Sequence, residues 1–143
     1  MRLFLDTSVL LAACGSARGA SREIFRLAPS HVWAFIATPY VIEEVLTNIG
    51  VLGPAAAAEW PRLRKELLIY DDILTLDRPA VFSPAKDKPI LFSALAWADV
   101  LLTLDRGDFN DQLGQSFYGL AVLKPGDFLE RERSSGRLTL SPP

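Results

Sequence analysis

Four regions of this sequence put a carboxylate where chemistry can use one. Asp6 directly follows the apolar Leu3-Phe4-Leu5, and Asp105 directly follows Val100-Leu101-Leu102-Thr103-Leu104. Both runs have the length and composition of buried strands. Asp87 opens an apolar stretch carrying Ile90, Leu91, Ala94, Leu95 and Ala98, and Glu43-Glu44 follow Val41-Ile42. Two carboxylates held a few ångströms apart repel, so such a pair needs a shared proton or a cation. Hard oxygen ligands favour Mg2+ or Mn2+ over zinc. One cysteine and one histidine exclude a multi-histidine or Cys/His zinc site, and Cys14 with His31 has no supporting local signature. Chemistry here is expected to run on carboxylates. Each acid alone also has a plainer role, because an aspartate after a strand commonly caps a helix or turns the chain.

The elements that must position these acids alternate. Leu3 to Leu5 reads as a strand, and Asp6-Thr7-Ser8 caps a helix from Val9 towards Cys14. Ser21 to Leu27 reads as a helix that Pro29 stops, and His31 to Ala37 as a strand. Thr38-Pro39 then serves as N-cap and first residue of a helix whose apolar stripe is Val41, Ile42, Val45, Leu46 and Ile49. On that helix Glu44 lies beside Val41 and Glu43 beside Leu46, so periodicity leaves the two glutamates equivalent. Ala55 to Leu68 is helical and Ile73 to Leu76 a strand, followed by an irregular stretch holding Pro79, Pro84 and Pro89. Asp87 caps the next helix, Val100 to Leu104 and Gly119 to Leu123 are strands, and Pro125 to Leu129 starts a short helix. Residues 130–143 read as a polar C-terminal tail, with one edge strand at Leu138 to Leu140. Alternation of this kind predicts a single α/β domain over residues 1–129, its mainly parallel central sheet flanked by helices on both faces. Such sheets carry their sites at the carboxyl ends of the strands, where Asp6 and Asp105 fall.

Composition bounds the rest. The chain has 143 residues, half of them apolar and 22% charged, which excludes a disordered, collagenous or disulfide-framework protein. Its length is that of one domain with a sizeable core. The net charge of −2 advertises no global affinity for nucleic acid. Gathering four carboxylates in one pocket would nevertheless leave the remaining surface weakly positive. Asp6 interrupts the apolar N-terminus, against a secretory signal, and Ser93 and Asp99 break the longest apolar stretch, against a membrane span. The expected protein is cytoplasmic, with Cys14 reduced.

Four segments in order carry a family resemblance. Leu-Asp-Thr-Ser-Val-Leu at 5–10, Thr-Pro-Tyr-Val-Ile-Glu-Glu-Val at 38–45, Asp-Lys-Pro-Ile-Leu at 87–91 and Ala-Asp-Val-Leu-Leu-Thr-Leu-Asp-Arg-Gly-Asp-Phe at 98–109 are similar to PIN-domain proteins. The closing Gly-Leu-Ala-Val-Leu-Lys-Pro-Gly-Asp-Phe-Leu at 119–129 resembles that family's last strand and helix. PIN domains are metal-dependent nucleases, mostly ribonucleases, and include toxins of bacterial toxin–antitoxin pairs. The resemblance implies a catalytic and metal-binding quartet of Asp6, Glu44, Asp87 and Asp105, choosing Glu44 over Glu43. It implies supporting roles for Ser8 and Thr103, and a secondary one for Asp108. Ser83-Pro84-Ala85-Lys86 stands where many relatives carry an additional aspartate before the helix acid.

The expected function is hydrolysis of RNA phosphodiesters with Mg2+ or Mn2+, which acidifies a bound water and offsets phosphate charge. Lys86, Lys88 and Arg106 flank the acids and Arg18 and Arg22 follow the first helix, so these five are the candidate RNA contacts. Trp33, Trp60 and Trp97 sit among apolar neighbours and are expected in the core. An antitoxin protein and a second copy of the chain are the partners the resemblance admits. The alternatives are a non-catalytic PIN-like interaction module and an aspartate-based phosphotransfer enzyme. The latter usually wants a second acid two residues after the first, where Ser8 stands.

Overall fold

A computed structural model describes residues 1–74, 88–105 and 113–138. Five of its strands are parallel: β1 (Arg2–Leu5), β2 (Ala34–Ala37), β3 (Leu67–Ile69), β4 (Val100–Leu102) and β6 (Leu120–Leu123). β5 (Gln115–Phe117) joins β6 antiparallel, and the sheet order is β3-β2-β1-β4-β6-β5. The described helices are α1 (Thr7–Gly15), α2 (Ala20–His31), α3 (Pro39–Asn48), α4 (Pro54–Arg64), α5 (Lys88–Trp97) and α6 (Pro125–Ser134), with a 3-10 turn at Ile49–Leu52.

The chain is thus an α/β protein built on a mostly parallel sheet, as alternation predicts. Successive strand residues face opposite sides of a sheet. Leu3, Phe4 and Leu5 on β1 and Val100, Leu101 and Leu102 on β4 are all buried, so both faces are covered. Strand order runs outward from β1 to β2 and β3, then returns to β4 on the other side of β1. The sheet therefore changes direction between β1 and β4, and in open parallel sheets that switch leaves a crevice beyond the strand ends. Among the described residues no helix is long and apolar enough to cross a membrane.

Several boundaries differ from the sequence reading. Pro29 does not stop α2, which ends two residues later, where Val32 takes a left-handed φ of 53° and returns its N–H to the Ala28 carbonyl. A proline near the end of a helix forfeits one intrahelical bond without ending it. β2 consequently begins at Ala34, not at His31.

A strand forms at Leu67–Ile69, whose first two residues read as the end of the preceding helix; of the strand expected at Ile73 to Leu76, residues 73 and 74 are not in a strand and residues 75 and 76 lie outside the described residues. α4 stops at Arg64, and the Ile73 N–H is taken by the Ser93 hydroxyl at 2.9 Å rather than by a strand. β5 has no counterpart in the sequence reading. Its connection to β6 is the two-residue Tyr118-Gly119, both at positive φ, a hairpin turn that only the glycine advertises.

The C-terminal segment is not a solvated tail as far as Leu138. α6 continues to Ser134, Glu132 is buried at 1% exposure against Arg137 at 2.6 Å, and Leu138 is buried as a bend rather than a strand. Residues 139 and 140, the remainder of the expected edge strand, lie outside the described residues.

Candidate acidic site at the carboxyl edge of the sheet

Asp6 ends β1 and caps α1. Its extended backbone (φ −68°, ψ 159°) lets Oδ1 accept the Thr7 N–H at 2.7 Å while its carbonyl receives the first helical N–H groups, from Val9 and Leu10. The local sequence dictates this much. Sheet hydrogen bonds then carry the parallel ladder one step past the strands. The Asp6 N–H donates to the Leu102 carbonyl, and the Thr103 N–H donates to the Leu123 carbonyl. In a parallel ladder those bonds make Asp6, Thr103 and Lys124 register neighbours on β1, β4 and β6.

Two hydroxyls converge on Asp6 Oδ2, Thr103 at 2.7 Å and Ser8 at 3.0 Å. Each hydroxyl also accepts a backbone N–H, Thr103 from Asp105 and Ser8 from Leu104, both at 3.0 Å. A backbone N–H can only donate, so each hydroxyl must accept there and spends its own proton on Asp6. The loop after β4 is thereby tied to the end of β1, and both predicted supporting residues, Ser8 and Thr103, lie on the carboxylate.

Glu44 arrives from α3. Thr38 takes the N-cap position but makes no side-chain cap bond, and Asp72 Oδ2 instead accepts the Tyr40 N–H at 3.0 Å. Val41 and Val45 are buried and face the body of the protein, whereas Leu46 is 54% exposed and falls off the expected stripe. This rotation leaves Glu43 exposed and turns Glu44 inward, where its Oε1 accepts the Thr7 hydroxyl at 2.9 Å. Thr7 bridges the two acids, its N–H on Asp6 and its hydroxyl on Glu44. Sequence reading did not single out Thr7, which looked like an ordinary helix-cap residue.

Asp6 is 4% exposed, and burial pushes its carboxyl up to about 6 although the Thr103, Ser8 and Thr7 donors pull the other way; the Glu44 charge adds to the rise. A carboxylate offers about four lone-pair positions. Among the described residues three of these are taken by neutral donors, one on Oδ1 is left open, and Asp6 makes no ion pair. A buried carboxylate with a lone pair open and no counter-charge among the described residues, and a second acid one side chain away, has the donor chemistry of a hard-cation site. Asp6 and Glu44 are the acids brought together. Asp105 begins just past Thr103 at the same edge, half-buried, with its N–H held by the Thr103 hydroxyl. Among the described residues no group of three or more His, Cys, Asp or Glu is arranged to hold a metal ion. Asp87 and Asp108 lie outside the described residues, as do Lys86 and Arg106.

The described basic candidates are placed differently. Lys88 is the first residue of α5. Arg22 donates to the Ala13 carbonyl at 2.6 Å and pairs with Glu59 at 3.3 Å, so its guanidinium serves the C-terminal end of α1. That end is about 10 Å along the helix axis from Asp6. Arg18 is exposed on the loop after α1. Trp60 is buried, Trp33 packs edge-on against Phe128, and Trp97 packs against Tyr70 while donating to the Asp71 carbonyl. All three belong to the packing of the domain. No family profile, curated protein or solved structure matches the chain.

Proposed function

We infer that the chain is a Mg2+- or Mn2+-dependent ribonuclease of the PIN type its sequence resembles. The observation that carries this reading is the pairing of buried Asp6 with Glu44 through Thr7, at the strand ends where the sheet order reverses. Asp6 and Glu44 would hold the ion, joined by Asp105 from the β4 loop and by Asp87, which the resemblance adds. When bound, the ion supplies an acidified water and neutralises phosphate charge. The chain's own part is preorganisation. Ser8 and Thr103 fix the plane of the Asp6 carboxylate, Thr7 sets its spacing from Glu44, and burial keeps competing water off Oδ2.

A single experiment tests the reading: assorted RNAs are incubated with Mn2+ and the wild-type chain, with Asp6→Asn alongside. Metal-dependent cleavage by the wild type alone supports it, and equal cleavage or none from both proteins removes it. The interaction-module alternative draws on exposed apolar residues, Val51 at 88% and Leu52 and Leu46 near half. An antitoxin protein or a second copy would be its occupant. That alternative gains if Mn2+ neither stabilises the protein nor supports cleavage.

A further inference from the structure

The register row Asp6–Thr103–Lys124 ends in a cation. Parallel strands are spaced about 4.8 Å apart, so the Lys124 backbone lies roughly 10 Å from that of Asp6, across β4, along the same carboxyl edge. Register partners in a parallel sheet project to the same side, and the Thr103–Asp6 bond fixes which side that is.

Lys124 is also costly where it stands. It is the N-cap of α6, a position that favours Ser, Thr, Asp or Asn, and its side chain makes no cap bond. A positive charge at the positive end of a helix dipole is unfavourable as well. Its ion pair among the described residues is with Asp127, at 4.0 Å and part-exposed, worth little. The ammonium therefore keeps most of its capacity for another anion. A residue that opposes its own helix beside a candidate site is the kind of local conflict that function explains.

We propose that Lys124 binds a phosphate of the RNA strand flanking the one over the acids, so that the strand runs along the sheet edge from β1 across β4 to β6. This inference rests on the ribonuclease reading. It names the substrate as a polyanionic strand longer than one phosphodiester, and the direction in which it is held.

The test is binding rather than turnover. A labelled single-stranded RNA 12-mer is titrated by fluorescence anisotropy against the Asp6→Asn protein, which leaves the RNA intact, at several salt concentrations. Lys124→Gln in that background should weaken binding roughly two- to fivefold and reduce the slope of log Kd against log salt by about 0.7. Lys124→Arg should restore both. Lys65→Gln, which removes the same charge from the exposed residue just before β3 at the opposite edge of the sheet, should change neither. If Lys124→Gln binds like Lys65→Gln, the Lys124 assignment falls and the ribonuclease reading stands. If the Asp6→Asn protein binds no RNA, the Lys124 assignment falls, and the ribonuclease reading stands or falls on cleavage by the wild type.

Discussion

The Thr103 hydroxyl donates to Asp6 Oδ2 over 2.7 Å while accepting the Asp105 N–H over 3.0 Å. One fully buried hydroxyl thus orients the β1 acid and anchors the loop that carries the β4 acid. Thr103→Val keeps the shape and deletes both bonds, stranding the Asp105 N–H and leaving Asp6 Oδ2 with the Ser8 hydroxyl alone. We expect a loss of about 1–3 kcal/mol in urea unfolding. The Asp6 carboxyl should also titrate higher, because a donor to its charged form is gone.

Asp6 itself should leave a signature in the pH dependence of stability. Its carboxyl is raised from 3.8 to about 6, so between those values the folded chain binds more protons than the unfolded one. Stability therefore falls as pH rises through that window, by about 3 kcal/mol in total from this group, and is flat above it. Subtracting the Asp6→Asn profile from the wild-type profile should isolate this slope. A difference curve that is level between pH 4 and 6 would show that the carboxyl is not perturbed.

Divalent cations should reverse that cost. An ion bound by Asp6 and Glu44 stabilises only the folded state, by about 2.7 kcal/mol at a concentration a hundred times Kd. Melting curves in Mn2+ against EDTA should show a rise in Tm for the wild type and little for Asp6→Asn. Identical wild-type curves would transfer the weight to the interaction module.

The adjacent glutamates separate ligand from bystander. Glu44→Gln and Glu43→Gln have similar helix propensities, so both should fold. Only Glu44 accepts the Thr7 hydroxyl beside Asp6, and Glu43 is exposed. Mn2+-dependent RNA cleavage should fall at least about a hundredfold in Glu44→Gln and stay near wild type in Glu43→Gln. The reverse order would place the ligand one residue earlier, and two active variants would mean that neither glutamate binds the ion.

At the other end of the chain, Glu132 is buried and held by Arg137 and Arg131. Glu132→Ala should lower the melting temperature, because it empties a buried position and removes the carboxylate that ties Arg137 back onto α6. Truncation after Ser134 should cost stability too, which a solvated tail would not. Thermal unfolding of both variants checks this.

The sequence by itself determined what short-range patterns can encode. Leu3-Phe4-Leu5 and Val100 to Leu104 are apolar enough to read as buried strands, and the acids that follow them, Asp6 and Asp105, fall at the carboxyl edge of any parallel sheet. Choices between residues with the same local pattern were left to contacts distant in sequence. Glu43 and Glu44 are equivalent on a helical wheel, and what separates them is a hydrogen bond from Thr7, thirty-seven residues away. Arg22 looked available until the fold brought it to the Ala13 carbonyl and Glu59. Lys124 read as a residue before a short helix, and only the ladder through Thr103 sets it in line with Asp6, because register is a property of paired strands and not of either strand alone.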